Sequence, residues 1–348
     1  MMTTATTDRA CRPTRTVVPP FVPHPLLPNA HLQTVIGRFF SLKRDRVDAV
    51  HAEVDLGDGD RLSVLDSRPE GWHPGRPQAA LVHGLCGCAN SAYVVRLAAR
   101  LVRKGVRVAR VNLRGAGSGF GLAKGTYHAG RSDDLRRAVE WIVGDAPGSP
   151  TALVGFSLGA NIVLKLAGEA VGEPLGGFDC VLAANPPIDL AECCRHIQRS
   201  VSRVYDRNFV RQLKSDVARL HRAFPELGPV NLPQKMSLYQ FDDLYTAPRN
   251  GFSGAAEYYA RSSSAPLIPS VQAPGLVVHS LDDPFIPAGP FLKTSFPPNL
   301  ELELVPAGGH LGYVSRSPWD GDHRWLTTRL TAWLCDRWGL NSAVADRV

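Results

Sequence analysis

A mostly parallel β-sheet with helices on both faces and a helical insertion is the α/β architecture that three observations predict. Short apolar runs alternate with helix-period segments from about residue 78 onward. A glycine-flanked serine stands at a sharp strand-to-helix junction, Gly155-Phe156-Ser157-Leu158-Gly159. The alternation stops over residues 188–265 and resumes at Gly275-Leu276-Val277-Val278-His279.

The elements follow in order. Residues 1–16 are small, polar and arginine-dotted, which predicts a disordered segment. The next stretch, Val17 to Asn29, holds five prolines; these forbid a helix and predict an extended arm, then a short helix around His31–Phe40. Residues 1–45 therefore form an N-terminal segment and arm. His24 and His31 within it read as packing or surface residues. Val50–Leu56 and Arg61–Asp66 alternate about Gly57-Asp58-Gly59, a β-hairpin. Gln78–Val82 and Val106–Asn112 are strands, Tyr93–Lys104 is a helix, and Ser132–Val143 is a helix capped at Ser132-Asp133-Asp134. Thr151–Phe156 leads through Ser157 into another helix, and Asp179–Asn185 is a strand. Over 188–265 the pattern is helical, with a basic amphipathic helix from about Cys194 to Arg222. A helical insertion there predicts a cap over the mouth of a site. Residues 46–187 and 266–340 form the core. It is completed by strands Gly275–His279 and Leu300–Val305 and a closing helix within Trp319–Trp338.

Composition narrows the function. The 348 residues carry a formal net charge of +7, but Arg and Lys are scattered rather than clustered with aromatics. That pattern favours solubility and transient contact with anionic membrane surfaces over nucleic-acid binding. The seven cysteines, Cys11, Cys86, Cys88, Cys180, Cys193, Cys194 and Cys335, are odd in number and irregular in spacing. They predict neither a disulfide framework nor a zinc site, and point to a reducing compartment. No apolar run approaches the length of a membrane span and no signal-peptide core is present, so a cytoplasmic protein is expected. Oligomeric state is not encoded at this level.

The chemistry centres on Ser157. Small residues two before and two after the serine, here Gly155 and Gly159, suit a strained turn that lifts the hydroxyl above the carboxyl end of the sheet. A serine needs a base, and the base needs an orienting acid. After the strand Gly275–His279 come Asp282 and Asp283. Pleating sends neighbours to opposite faces, so one serves and the other does not. Asp283 is favoured because Pro284-Phe285-Ile286-Pro287 resembles the turn that usually follows such an acid. Asp282 stays the alternative and Asp189 a third. His310 is the base, in a loop that Gly308, Gly309 and Gly312 allow to fold sharply. Two backbone N–H groups would hold the oxyanion, those of Leu158 and of Leu85 in the loop His83–Gly87. Cys86 is a conceivable nucleophile, but no paired base is evident. The segment Arg114–Gly121 fails the G-x-G-x-x-G spacing, because Phe120 or Leu122 falls at the third glycine; it reads as a mobile loop near the site. No cofactor and no metal are expected.

Together these residues resemble the YheT-like group of α/β-hydrolases, bacterial relatives of the eukaryotic abhydrolase-domain esterases and lipases. The resemblance rests on Asn29-Ala30-His31-Leu32-Gln33-Thr34, His83-Gly84-Leu85 with Tyr93-Val94, and Asn112-Leu113-Arg114-Gly115. It continues through Tyr127-His128-Ala129-Gly130 with Asp133-Asp134-Leu135, Gly155–Asn161, Phe241-Asp242-Asp243, Asp282-Asp283-Pro284 and Gly309-His310-Leu311-Gly312. It implies an α/β-hydrolase fold, a charge-relay triad falling on Ser157, Asp283 and His310, and esterase activity on short- to medium-chain acyl esters. The same acyl-enzyme also serves acyl transfer and thioester or amide cleavage, and a catalytically silent binding module is the rival outside the enzymes.

Overall fold

A computed structural model describes residues 18–39, 45–199, 203–319 and 322–340. The disordered segment expected over residues 1–16 lies outside them. After the arm come α1 (Ala30–Phe39), the hairpin β1 (Val50–Asp55) and β2 (Arg61–Ser67), then β3 (Gln78–Val82), α2 (Ala92–Arg103), β4 (Arg107–Val111) and α3 (Ser132–Asp145). The chain continues through β5 (Thr151–Phe156), α4 (Leu158–Glu169) and β6 (Phe178–Ala184). It then leaves the sheet for α5 (Leu190–Ile197), α6 (Arg203–Ala223), α7 (Leu238–Phe241), a π-helical turn Asp242–Thr246, α8 (Ala247–Arg249) and α9 (Ala255–Ser262). It returns with β7 (Gly275–Ser280), α10 (Gly289–Lys293), β8 (Leu300–Val305), the hairpin β9 (Val314–Trp319) and β10 (Asp322–Arg324), and α11 (Trp325–Arg337).

Eight strands form one sheet in the order β1-β2-β4-β3-β5-β6-β7-β8. The first hairpin is antiparallel and β2 meets β4 antiparallel; every later pairing is parallel. Strands β3, β5 and β7 are buried along their whole length, which is why their sequences are continuous apolar runs. Alternate residues feed opposite layers. Leu81, Val154, Leu182 and Val278 pack with α2 and α11, whereas Val82, Leu153, Val181 and Val277 pack with α3 and α4. All the parallel strands therefore present their carboxyl ends to one rim, where loops carry chemistry.

Three local expectations change. In place of the one helix expected from about Cys194 to Arg222, α5 ends at Ile197 with Gln198 as its C-cap and α6 spans Arg203–Ala223. Ser132 does not cap α3. Arg131 is the N-cap, and the Ser132 hydroxyl instead accepts from Lys165 Nζ at 3.0 Å. The hairpin β9–β10 was not anticipated, because Val314–Trp319 mixes polar residues and a proline. Its pairing to the arm is long-range: Arg316 N–H donates to Val22 O at 2.7 Å and His24 N–H to Val314 O at 2.9 Å. Phe21 anchors that arm against the rings of Tyr313 and Trp325.

Candidate active site

Ser157 sits between β5 and α4 with φ 53° and ψ −122°, a left-handed conformation that a non-glycine residue adopts only under constraint. The constraint is visible on both sides. A Cβ on Gly155 would overlap Gly159 O and the Ala160 backbone, and one on Gly159 would overlap His83 O and Val82 O. Ser157 N–H donates to Ala184 O at 2.8 Å, extending the sheet to the turn. The serine's strained geometry is thus forced by close packing of β3, β5 and α4.

The structure brings the other two predicted side chains to this serine. His310 Nε2 lies 2.9 Å from Ser157 Oγ, and His310 Nδ1 lies 2.7 Å from Asp283 Oδ2. Asp283 is buried. Its Oδ1 accepts the N–H groups of Phe285 (2.8 Å) and Ile286 (3.1 Å), and its Oδ2 accepts from Asn185 Nδ2 at 2.6 Å. Burial alone would raise its pKa, but the His310 charge and hydrogen bond prevail and hold the carboxyl below its ordinary value. Asp282, one residue earlier, accepts from the Ser280 hydroxyl and from Gly309 N–H (2.8 Å), so it braces the histidine loop. Asp189 caps α5 by accepting Glu192 N–H at 2.9 Å.

Leu158 opens α4 and Leu85 lies in the loop after β3. Among the described residues neither N–H has a hydrogen-bond acceptor. The loop backs directly onto the nucleophile, since a Cβ on Gly84 would come within 2.9 Å of Ser157 Cβ. Sequence reasoning missed the groups that hold this loop. His83 is fully buried; its Nε2 accepts Leu113 N–H at 3.1 Å, which assigns the proton to Nδ1, 2.8 Å from Gly84 O. Burial pushes its pKa down to about 4, so it stays neutral. The Tyr93 and Tyr127 hydroxyls accept the N–H groups of Gly84 (3.0 Å) and Cys86 (2.9 Å). Asn185, which spans Asp283 and the Tyr313 hydroxyl (2.9 Å), was also missed. Its only signal was its place directly after β6.

A cavity of about 490 Å³ opens above Ser157 and His310. Leu190 and Ile197 of α5 and Phe209, Leu213, Val217 and Leu220 of α6 make its apolar wall. Asp242 belongs to the same lining; it is buried, accepts from Tyr259 Oη and Thr246 Oγ1 at 2.7 Å each, and burial pushes it up to about 6. Cys86 lines the cavity with φ 55°. The Arg114–Gly121 segment, expected as a mobile loop, does border the cavity but is tied down. Arg114 pairs with Asp134, Asp58 and Asp60, and Ser118 Oγ bonds Ser63 Oγ at 2.6 Å. His31 stacks on Tyr205, and His24 meets His323 edge-on. The six described cysteines are not in disulfides. Among the described residues no group of three or more His, Cys, Asp and Glu side chains could hold a metal ion, and no helix is long and apolar enough to cross a membrane.

A mostly parallel sheet with a serine at a strained turn and a histidine and carboxylate brought to it by later loops defines a class. The description "alpha/beta hydrolase fold" matches residues 81–317, and the chain belongs to that family. Within it, the chain is 31% identical over 319 residues to the protein YheT of Escherichia coli (strain K12), covering 90% of this chain and 92% of YheT. It is 27% identical over 248 residues to the monoacylglycerol lipase of Saccharomyces cerevisiae (strain ATCC 204508 / S288c), covering 68% of this chain and 55% of that protein. Among solved structures, the Pyrococcus furiosus esterase Pf2001 superposes with a TM-score of 0.54 at 16% identity, over 86% of this chain and 96% of its own. Est1E from Butyrivibrio proteoclasticus gives 0.53 at 14%, over 83% and 99%. At those identities the likeness establishes the fold alone.

Proposed function

We propose that this chain is a serine carboxylester hydrolase acting on small-molecule acyl esters of short to medium chain length. Ser157 Oγ attacks the acyl carbon while His310 Nε2 takes its proton. Asp283 orients the imidazole and stabilises the imidazolium. The N–H groups of Leu85 and Leu158 hold the oxyanion. His310 then returns the proton to the departing alcohol, and water enters by the same route to release the acid and restore Ser157. No cofactor is required. The observation that carries this reading is the unbroken hydrogen-bonded chain of 2.9 and 2.7 Å from Ser157 through His310 to Asp283. The apolar cavity over Ser157 supports an acyl chain as its occupant, and the relatives named for lipase chemistry agree with it. The cysteine pattern supports a cytoplasmic location. The test is turnover of p-nitrophenyl esters from butyrate to dodecanoate by wild type beside Ser157→Ala. The variant should lose turnover by at least about 10³-fold; a variant that retains activity refutes the serine's role.

A further inference from the structure

The loop that carries His310 is in the left-handed region at four positions: Gly308 (φ 142°), Gly309 (58°), Leu311 (59°) and Tyr313 (42°). At the non-glycine positions Leu311 and Tyr313 such backbone persists only where its surroundings over-determine it. Much of that restraint comes from α1, whose start is set by Asn29 accepting His31 N–H at 2.8 Å. Thr34 Oγ1 spends its proton on Ala30 O (2.7 Å), which leaves its lone pairs to accept His310 N–H at 2.9 Å. Gln33 clamps the far end of the same loop. Its Oε1 accepts Val314 N–H at 2.7 Å and its Nε2 donates to Val314 O at 3.1 Å. The fit is tight enough that a Cβ on Gly309 would overlap Ala30 O, one on Gly312 would overlap Gln33 O, and one on Gly37 would overlap Gly312 Cα. The helix also reaches the insertion. His31 Nδ1 lies 3.0 Å from Tyr205 Oη, the Tyr205 ring packs edge-on to Phe285, and Phe285 packs on the His310 ring, both at 4.6 Å between centroids.

We propose that α1 is a positioning element of the active site, and that Thr34 is the positioning residue that fixes His310 against Ser157 by holding its backbone N–H. The inference rests on the Ser157–His310–Asp283 assignment above. Thr34 touches no reacting atom; it sets the place of one that does.

The test uses the full chain with Thr34→Val, Thr34→Ser and, as a control, Leu32→Ala at an exposed position of α1. Turnover of p-nitrophenyl butyrate and the rate of labelling by a fluorophosphonate probe are both read. Valine keeps the shape and loses the acceptor, so kcat should fall roughly tenfold with KM within about twofold, and labelling should slow in step. Serine should restore both rates, and Leu32→Ala should leave them unchanged. If Thr34→Val does not fold, Gln33→Met is read by the same ratio. A Thr34→Val enzyme with wild-type kcat, or a loss that Thr34→Ser shares, overturns the proposal. Wild type without Ser157-dependent turnover or labelling overturns the triad assignment and this inference together, whereas active wild type with an unaffected Thr34→Val overturns this inference alone.

Discussion

Asp242 offers a quantitative test of the cavity wall, by replacement with asparagine. The carboxyl is buried, makes its hydrogen bonds to two hydroxyls, and forms no ion pair among the described residues. Burial raises it from 3.8 to about 6. The folded state therefore binds this proton more tightly than the unfolded chain does, so the site's contribution to stability is complete below about pH 3.8 and falls as pH rises to about 6. A difference of about 2 pKa units corresponds to about 3 kcal/mol lost by neutral pH, of which about 2 kcal/mol disappears between pH 4.5 and 8. For a chain of this length 2 kcal/mol is a Tm change of about 3 °C. Asparagine cannot ionise and is free of this dependence. Melting wild type and Asp242→Asn in parallel across that range should show the variant gaining about 3 °C on wild type as pH rises. Titrating groups that do not interact with Asp242 cancel in the difference; the Asp206 carboxyl, whose charge also raises Asp242, is the one acidic neighbour that does not. A Tm difference that is flat with pH would refute the claim that Asp242 is buried and ionises within the fold.

The remaining predictions concern the site. Asp283→Asn should lower kcat by about 10³- to 10⁴-fold, because the amide can donate to Nδ1 and stabilise the wrong tautomer. Asp282→Asn should cost far less, about tenfold at most, since it loosens the Gly309 brace and the Ser280 hydrogen bond but touches no reacting atom; steady-state kinetics of the pair separates the two carboxylates. Tyr127→Phe removes the acceptor of Cys86 N–H beside Leu85, so kcat should fall roughly tenfold with little change in stability beyond about 1–2 kcal/mol, as judged by kinetics and urea denaturation. Gly155→Ala should yield little folded protein, because its methyl meets backbone on α4 and no side chain can move aside; soluble yield and far-UV circular dichroism report it.

What the sequence discloses about the fold follows from which forces are local. Strands β3, β5 and β7 are legible because a strand covered on both faces must be apolar throughout. The turn at Ser157 is legible because crowding there excludes any side chain at Gly155 and Gly159. The end of α5 at Ile197 is less legible, since Gln198 and Arg199 are residues that helices readily accept. The β9–β10 hairpin escapes for a different reason. Its two strands are short, and the arm that bridges it at Pro23–Ser315 lies at the other end of the chain, so nothing in Val314–Trp319 alone records that contact.

The site divides in the same way. Glycine spacing marks Ser157 and His310, because the demand for a sharp turn is written beside the residue that needs it. The supporting groups carry no such mark: Asn185 reaches Asp283 across 98 positions, Tyr127 reaches Cys86 across 41, and Thr34 reaches His310 across 276. Each is an ordinary polar residue until folding supplies its partner. The adjacent carboxylates after β7 show where local reasoning stops. Both lie in the turn after β7, where strand pleating no longer applies, and both reach the His310 loop. Which of them meets the imidazole is fixed by the turn, in which Asp283 Oδ1 accepts the Phe285 and Ile286 N–H groups and Asp282 accepts from the Ser280 hydroxyl. Asp282 turns to the Gly309 N–H and Asp283 to His310 Nδ1, so both carboxylates hold one loop, one by its backbone and the other by its ring. The Phe285 and Ile286 N–H groups that fix Asp283 belong to the Pro284–Pro287 turn, so the segment that favours Asp283 in the sequence also holds it in the fold.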